Sequence, residues 1–155
     1  FLYCDSFAEV SDSLRNIVIE NNWQGHPFFA MDKRLVEKFS KEELIFTDKS
    51  KESKVFFTTC EHLIAQNGSI LVCSQQLHEK KLNELPENFI VFATTSQLVE
   101  SIGEGLKSIK KRHQNSIPAN ITTIKHFQST EDNKEDFLTY GSSTKNLYLL
   151  LLEDL

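Results

Sequence analysis

Leu147-Tyr-Leu-Leu-Leu-Leu152 is six residues without a charge or a turn-former, set between Lys145 and the pair Glu153-Asp154. It is far too short to span a membrane, and its length suits a strand buried on both faces. Phe89-Ile-Val-Phe-Ala93 is a second run of this kind. Strands with no polar alternation belong to sheets covered by other layers on both sides, and such sheets are mainly parallel, with helices in the crossovers.

The rest of the chain supplies those helices. Ser6 and Glu9 have capping-box spacing, and Phe7, Val10, Leu14, Ile17 and Val18 follow at helical spacing until Asn21-Asn22 and Gly25 end the helix. Asp32 to Phe39 predicts a second helix, with Leu35, Val36 and Phe39 inward. Thr94 and Gln97 again have capping-box spacing. Leu98, Val99, Ile102, Leu106 and Ile109 then predict one helix running to about Arg112, with Gly103 and Gly105 inside it and so unsuited to a phosphate loop. Strands are expected at Leu2–Cys4 (an edge or first strand), Pro27–Ala30, Glu43–Thr47, Val55–Thr58 and Ile121–Ile124. His62–Ala65 and Ile70–Cys73 flank Asn67-Gly68, the strongest short-range hairpin signal, and read as the antiparallel part of the same sheet. Asp48–Lys54 reads as a loop or short exposed helix and Gln75–Glu87 as a connecting loop. A long polar loop is expected from about Lys125 to Asn146, with a helical turn near Asp136 and Phe137. The fold class is therefore α/β, with a mixed, mainly parallel sheet flanked by helices. Residues 1–155 read as a single domain; because the chain opens without Met, an N-terminal piece is expected to be missing.

Charge and cysteine usage narrow the function classes. A net charge of -5 and a pI near 5.5 disfavour nucleic-acid binding, which needs a basic surface. The basic cluster Lys107, Lys110, Lys111, Arg112 and His113 falls where a helix ends, a place where cations complement the helix dipole. Cys4, Cys60 and Cys73 form no CxxC pair, so neither a zinc finger nor a cysteine-held iron–sulphur cluster has a ligand set, and no metal or cofactor is expected. Three dispersed cysteines with no signal peptide read as reduced thiols in a cytoplasmic protein, away from the membrane. The 12 Phe suit a packed core, and equally an exposed apolar patch for a protein partner.

Ligands of open α/β sheets sit beyond the carboxyl ends of the strands. Three such places stand out: Thr58-Thr-Cys-Glu61 leading to Gln66-Asn-Gly-Ser69, the turn Thr94-Thr-Ser96, and the loop Gln128-Ser-Thr-Glu-Asp132. Each has a plainer reading. Asn67-Gly68 is also an ordinary turn, and Thr94–Ser96, placed to hold an anion at a helix N-terminus, is also an ordinary cap. Glu61 becomes a general base only if its surroundings tune it; by spacing alone it is a polar residue at a strand end. Cys60 and His62 resemble a nucleophile pair without a third, orienting group, and no histidine has metal-ligand spacing.

Three segments in order resemble the lactate-utilisation (LUD) domain family. They are Thr58-Thr-Cys-Glu-His-Leu-Ile-Ala-Gln-Asn-Gly-Ser-Ile70, Phe89-Ile-Val-Phe-Ala-Thr-Thr-Ser-Gln-Leu-Val99 with the helix after it, and Lys145-Asn-Leu-Tyr-Leu-Leu-Leu-Leu-Glu-Asp154. The resemblance implies a fold similar to the sugar-phosphate isomerase and CoA-transferase group. It also implies an accessory role in oxidation of L-lactate or a related organic acid, beside an iron–sulphur oxidoreductase, as in the member type without cluster cysteines. With the strand-end positions above, the candidate ligand-binding residues are Thr59, Glu61, Gln66, Asn67, Gly68, Ser69, Thr130 and Asp132, of which the resemblance itself singles out the turn at Gln66 and Asn67 and the loop with Thr130 and Asp132. The family's Ala-Glu-Thr-Gly turn reads Ala65-Gln-Asn-Gly68 here, replacing a carboxylate by a carboxamide that cannot act as base or nucleophile. In the loop near Phe127 to Asp132, the Arg position reads Ser129, which removes a planar fork for carboxylate or phosphate. Binding rather than catalysis is the leading expectation. The alternatives are an enzyme acting on a small anionic metabolite (hydroxy acid, sugar phosphate or CoA-type) and a protein-interaction module without a small ligand.

Overall fold

The structure, a computed structural model, describes residues 1–77, 80–81, 84–114, 121–124, 126–127 and 144–155. In chain order the elements are β1 (Leu2–Cys4), α1 (Phe7–Glu20), β2 (Pro27–Phe29), α2 (Lys33–Lys38), β3 (Ile45–Thr47), β4 (Val55–Thr58), β5 (His62–Ile64), β6 (Ser69–Val72), α3 (Ser74–Leu77), β7 (Asn88–Thr94), β8 (Leu98–Val99), α4 (Ile102–Arg112), β9 (Thr122–Ile124), β10 (His126–Phe127) and β11 (Thr144–Leu152). The main sheet runs β1-β11-β7-β4-β2-β3 with every pairing parallel, and β10 also pairs with β11.

The run that opened the sequence reading is β11, an interior strand between β1 and β7. Leu147, Leu149 and Leu151 align with Phe89, Val91 and Ala93, and Tyr148 and Leu150 with Ile90 and Phe92. Because successive side chains point to opposite faces, these two sets supply two cores. On one face Ile90, Phe92 and Leu150, with Phe28, Val55 and Phe57, pack under α1 and α2 through Val10, Leu14, Ile17, Leu35 and Phe39. Ser6 caps α1 as its spacing predicts, except that the Glu9 carboxylate takes the Asp5 amide instead of the cap's own, and Asp32 caps α2. On the other face Phe29, Phe56, Phe89, Val91, Ala93 and Leu151 meet Leu63, Ile70, Val72 and Ile124. The phenylalanines populate both faces: Phe39 lies 4.9 Å from Phe57 and 5.5 Å from Phe92, and Phe56 lies 5.1 Å from Phe89. Each such buried ring contributes about 1.5–3 kcal/mol. Phe28, Phe29, Phe39, Phe56, Phe57, Phe89 and Phe92 thus serve the core, with Phe7 and Phe46 packed against it and Phe1 exposed.

Two expectations change. The hairpin β5–β6 does not join the main sheet; it forms a second sheet, β8-β5-β6-β9, stacked on the first. Its residues are buried on both sides, by the main sheet at Leu63 and Ile70 and by α4 at Ile64 and Leu71. The single helix expected from Leu98 to Arg112 is also divided. The Thr94 capping box starts only a 3-10 turn, Thr95–Gln97; β8 follows, pairing in parallel with β5, and α4 begins after a second cap, Ser101. Leu98 and Val99 follow the helical spacing by coincidence, because the free edge of β5 takes them as a strand. Gly105 lets α4 sit close: a Cβ there would lie 3.1 Å from Leu71 and 3.4 Å from Ile64. The helical turn expected near Asp136 and Phe137 lies outside the described residues.

Candidate functional site

The C-terminal edge of the main sheet gathers a continuous polar network. It begins where β4 ends and the chain crosses to the second sheet through Thr59, Cys60 and Glu61. The Glu61 amide donates to the Leu71 carbonyl (2.8 Å), yet the residue aligned with Leu71 is His62. Two residues therefore oppose one, which is a β-bulge, a device that re-aims side chains beside functional sites. It turns Glu61 toward α4 and the Cys73 side of β6 instead of into the apolar layer between the sheets.

Glu61 is 2% exposed. Its Oε1 accepts from the Cys73 thiol (3.3 Å) and from Gln76 Nε2 (3.1 Å). Arg112 Nη2, at the last residue of α4, lies 3.0 Å from Oε2, and its side chain is 53% exposed. The guanidinium hydrogens are not aimed along that vector, so the contact is an ion pair and Oε2 receives no aligned donor. Glu61 is thus an ion-paired, buried carboxylate and not an ordinary polar residue at a strand end. The His62 Nδ1 lies 3.0 Å from the Gln97 carbonyl, which can only accept, so Nδ1 carries the hydrogen and Nε2 of the neutral ring is an acceptor. That Nε2, like Glu61 Oε2 and His113 Nε2, is buried without a hydrogen-bond partner.

Gln97 ties this cluster to the adjacent turn. Its Nε2 donates to the Cys60 carbonyl (2.6 Å), and its Oε1 accepts from the Thr94 amide (2.9 Å). The Thr94–Ser96 turn does hold an anion, and the anion is the chain's own Asp154. That carboxylate accepts from Thr95 Oγ1 (2.8 Å), the Ser96 amide (2.8 Å) and Ser96 Oγ (2.6 Å). Those donors, Ser96 Oγ foremost, hold the Asp154 pKa down at about 2. Beside it Tyr3 donates its hydroxyl to Glu153, which pushes the phenol up to about 12.

Neither thiol is activated. Burial, seconded by the Glu61 charge, pushes Cys60 up to about 12. Burial, with the Glu61 hydrogen bond, pushes Cys73 up to about 11. The Cys60–His62 pair therefore lacks a thiolate at neutral pH. Among the described residues no group of three or more His, Cys, Asp or Glu is placed to hold a metal, and no helix is long and apolar enough to cross a membrane.

The residues singled out from the sequence are distributed along the hairpin. Thr59, half-buried, and Glu61 lie at its base. Gln66, Asn67 and Gly68 are exposed at its tip, roughly 13 Å away for the four extended residues from Glu61 to Ala65. At the tip Asn67 Oδ1 accepts from both the amide (3.1 Å) and hydroxyl (2.6 Å) of buried Ser69, and Gly68 has φ +69°, so these residues build the turn. Thr130 and Asp132, with the rest of the Gln128–Asp132 loop, lie outside the described residues. Cys73, Gln76, Gln97 and Arg112 are companions of Glu61 that no spacing in the sequence announces; the one available signal, Arg112 in a basic cluster, is equally a helix-end feature. A different place, a groove of about 530 Å³ at the opposite edge of the sheet, is lined by Arg15, Val18, Ile19, Lys41, Glu42 and Leu44 among others.

Comparison with known families places residues 4–152 within the family model of the LUD domain. The chain also aligns with the crystal structure of a DUF162 family protein from Deinococcus radiodurans at 13% identity, with a TM-score of 0.45, covering 96% of this chain and 99% of that one. No curated protein matches the sequence.

Proposed function

The chain belongs to the LUD domain family, and on that premise we propose that it binds a small organic acid as an accessory to the oxidation of L-lactate or a related acid, without carrying out the chemistry itself. The supporting observation is the state of the buried polar groups. Both thiols near Glu61 are held protonated, and the position of the family's turn carboxylate is a carboxamide, Gln66. What is left is suited to recognition: a fixed carboxylate, a half-exposed guanidinium and an imidazole acceptor. Thr59 and Glu61 are the centre of the proposed ligand set. Gln66, Asn67, Gly68 and Ser69 lie beyond the reach of a molecule as small as lactate seated there, and Thr130 and Asp132 complete the set implied by the family. The proposed setting is the cytoplasm, and the proposed partner is an iron–sulphur oxidoreductase, which would carry the electrons that the bound acid gives up.

A thermal-shift panel of 2-hydroxy acids, sugar phosphates and CoA tests the ligand class. A ligand at 100 times its Kd stabilises by about 2.7 kcal/mol, readily visible in such a scan. Stabilisation by 2-hydroxy acids is expected. Stabilisation by sugar phosphate or CoA alone would replace the ligand class, and an inert panel would remove the binding role. Capture from the native cell should recover an iron–sulphur oxidoreductase, whereas unimpaired growth on L-lactate after deletion of the gene argues against the accessory role.

A further inference from the structure

We propose that the Glu61–Arg112 ion pair is the ligand seat, opened by exchange: the Arg112 guanidinium passes from Glu61 Oε2 to the carboxylate of a 2-hydroxy acid, whose hydroxyl donates to Oε2 in its place. This inference rests on the binding role above and assigns it to particular atoms.

The pair is lopsided in a way a purely structural ion pair is not. One member is almost wholly buried, while the other is more than half exposed and does not aim its hydrogens at the carboxylate. A buried oxygen without an aligned donor is a cost to the fold, so a ligand hydroxyl placed there supplies the hydrogen bond that Oε2 lacks. Cys73 and Gln76 anchor Oε1, so the carboxylate keeps its position when Arg112 moves. The exchange leaves Glu61 with three neutral donors, from the thiol, the amide and the hydroxyl. It gives the guanidinium a carboxylate that can meet its planar fork with two hydrogen bonds.

Charge permits the added anion. Lys110 and Lys111 share the last turn of α4 with Arg112. Among the described residues no ion pair engages either lysine. Arg112 alone meets Glu61, while the two exposed lysines add positive charge to the same helix end, so one more carboxylate does not reverse the sign there. Access needs no interior channel, because the exposed part of Arg112 already meets solvent at the end of its helix.

Isothermal titration of the full chain with L-lactate, and with propionate as the same carboxylate without the hydroxyl, tests the exchange. L-lactate should bind at least about tenfold tighter than propionate. Arg112→Ala should weaken L-lactate at least about tenfold, and Arg112→Lys, which keeps the charge and loses the fork, should fall between. Arg112 is exposed enough for these variants to fold, and their melting curves check that. Arg15→Ala, in the groove at the opposite edge, should leave binding unchanged. Undiminished binding by Arg112→Ala, equal binding of propionate, or loss of binding in Arg15→Ala would each overturn the assignment while leaving the binding role intact. If the wild-type chain binds no 2-hydroxy acid at all, the binding role falls and this seat falls with it.

Discussion

Asp154 and Glu61 both leave the C-terminal edge of the parallel sheet, and their surroundings differ in kind. Asp154 is exposed and has three donors from one short turn, two hydroxyls and an amide within 2.8 Å. Glu61 is buried and draws its partners from β6, α3 and α4, which are distant in sequence, and one of its oxygens still lacks an aligned donor. A surface carboxylate met by its neighbours is finished structure. The buried one keeps an ion-paired oxygen without an aligned donor, and that difference is what the proposed ligand would use.

The largest test of this contrast is Glu61→Ala. It strands the Cys73 thiol, the Gln76 amide and the Arg112 cation, and should lower stability in urea by about 2–3 kcal/mol. Gly105→Leu acts one step away: the added side chain drives α4 off Leu71 and Ile64, with an overpacking cost of about 1–3 kcal/mol, and it should also carry Arg112 away from Glu61. Arg112→Ala should cost about 1–2 kcal/mol, less than Glu61→Ala: it leaves a buried carboxylate without its cation, but water entering at the vacated, exposed helix end offsets part of that penalty, and a loss as large as that of Glu61→Ala would make the pair a structural element. The smallest effect belongs to Asp154. Its folded pKa of about 2 lies below the ordinary aspartate value of 3.8, so its contribution is complete above pH 3.8 and is lost as pH falls through about 2. Acid unfolding of Asp154→Asn should lack that component in the same window, and identical acid curves for the two proteins would show that the cradle contributes nothing.

Much of the scaffold was legible because its signals are local. Ser6 announces α1 through a cap that bonds within three residues, and Leu147–Leu152 and Phe89–Ala93 announce buried strands through unbroken apolarity. The division of the expected helix at Leu98 was not legible: Leu98 and Val99 fit a helical stripe, and only the free edge of β5 makes them a strand. The Asn67-Gly68 hairpin was readable as a hairpin, while its membership of a second sheet depended on which apolar faces met. The base of the candidate site was half legible. Glu61 stood out, yet Arg112 lies 51 positions further along, and no periodicity links residues joined only by a bulge and a helix end.

By itself the sequence determined most of the extended and helical segments, that a largely parallel sheet lies at the centre, and the family whose order of motifs it keeps. Only the tertiary structure decided that Leu147–Leu152 is an interior strand, that the hairpin stands in its own layer under α4, and that Glu61 meets Cys73, Gln76 and Arg112. The physical reason is range. Capping and apolar patterning are satisfied within a few residues, whereas the burial of a carboxylate and the donors that reach it depend on which distant surfaces pack together.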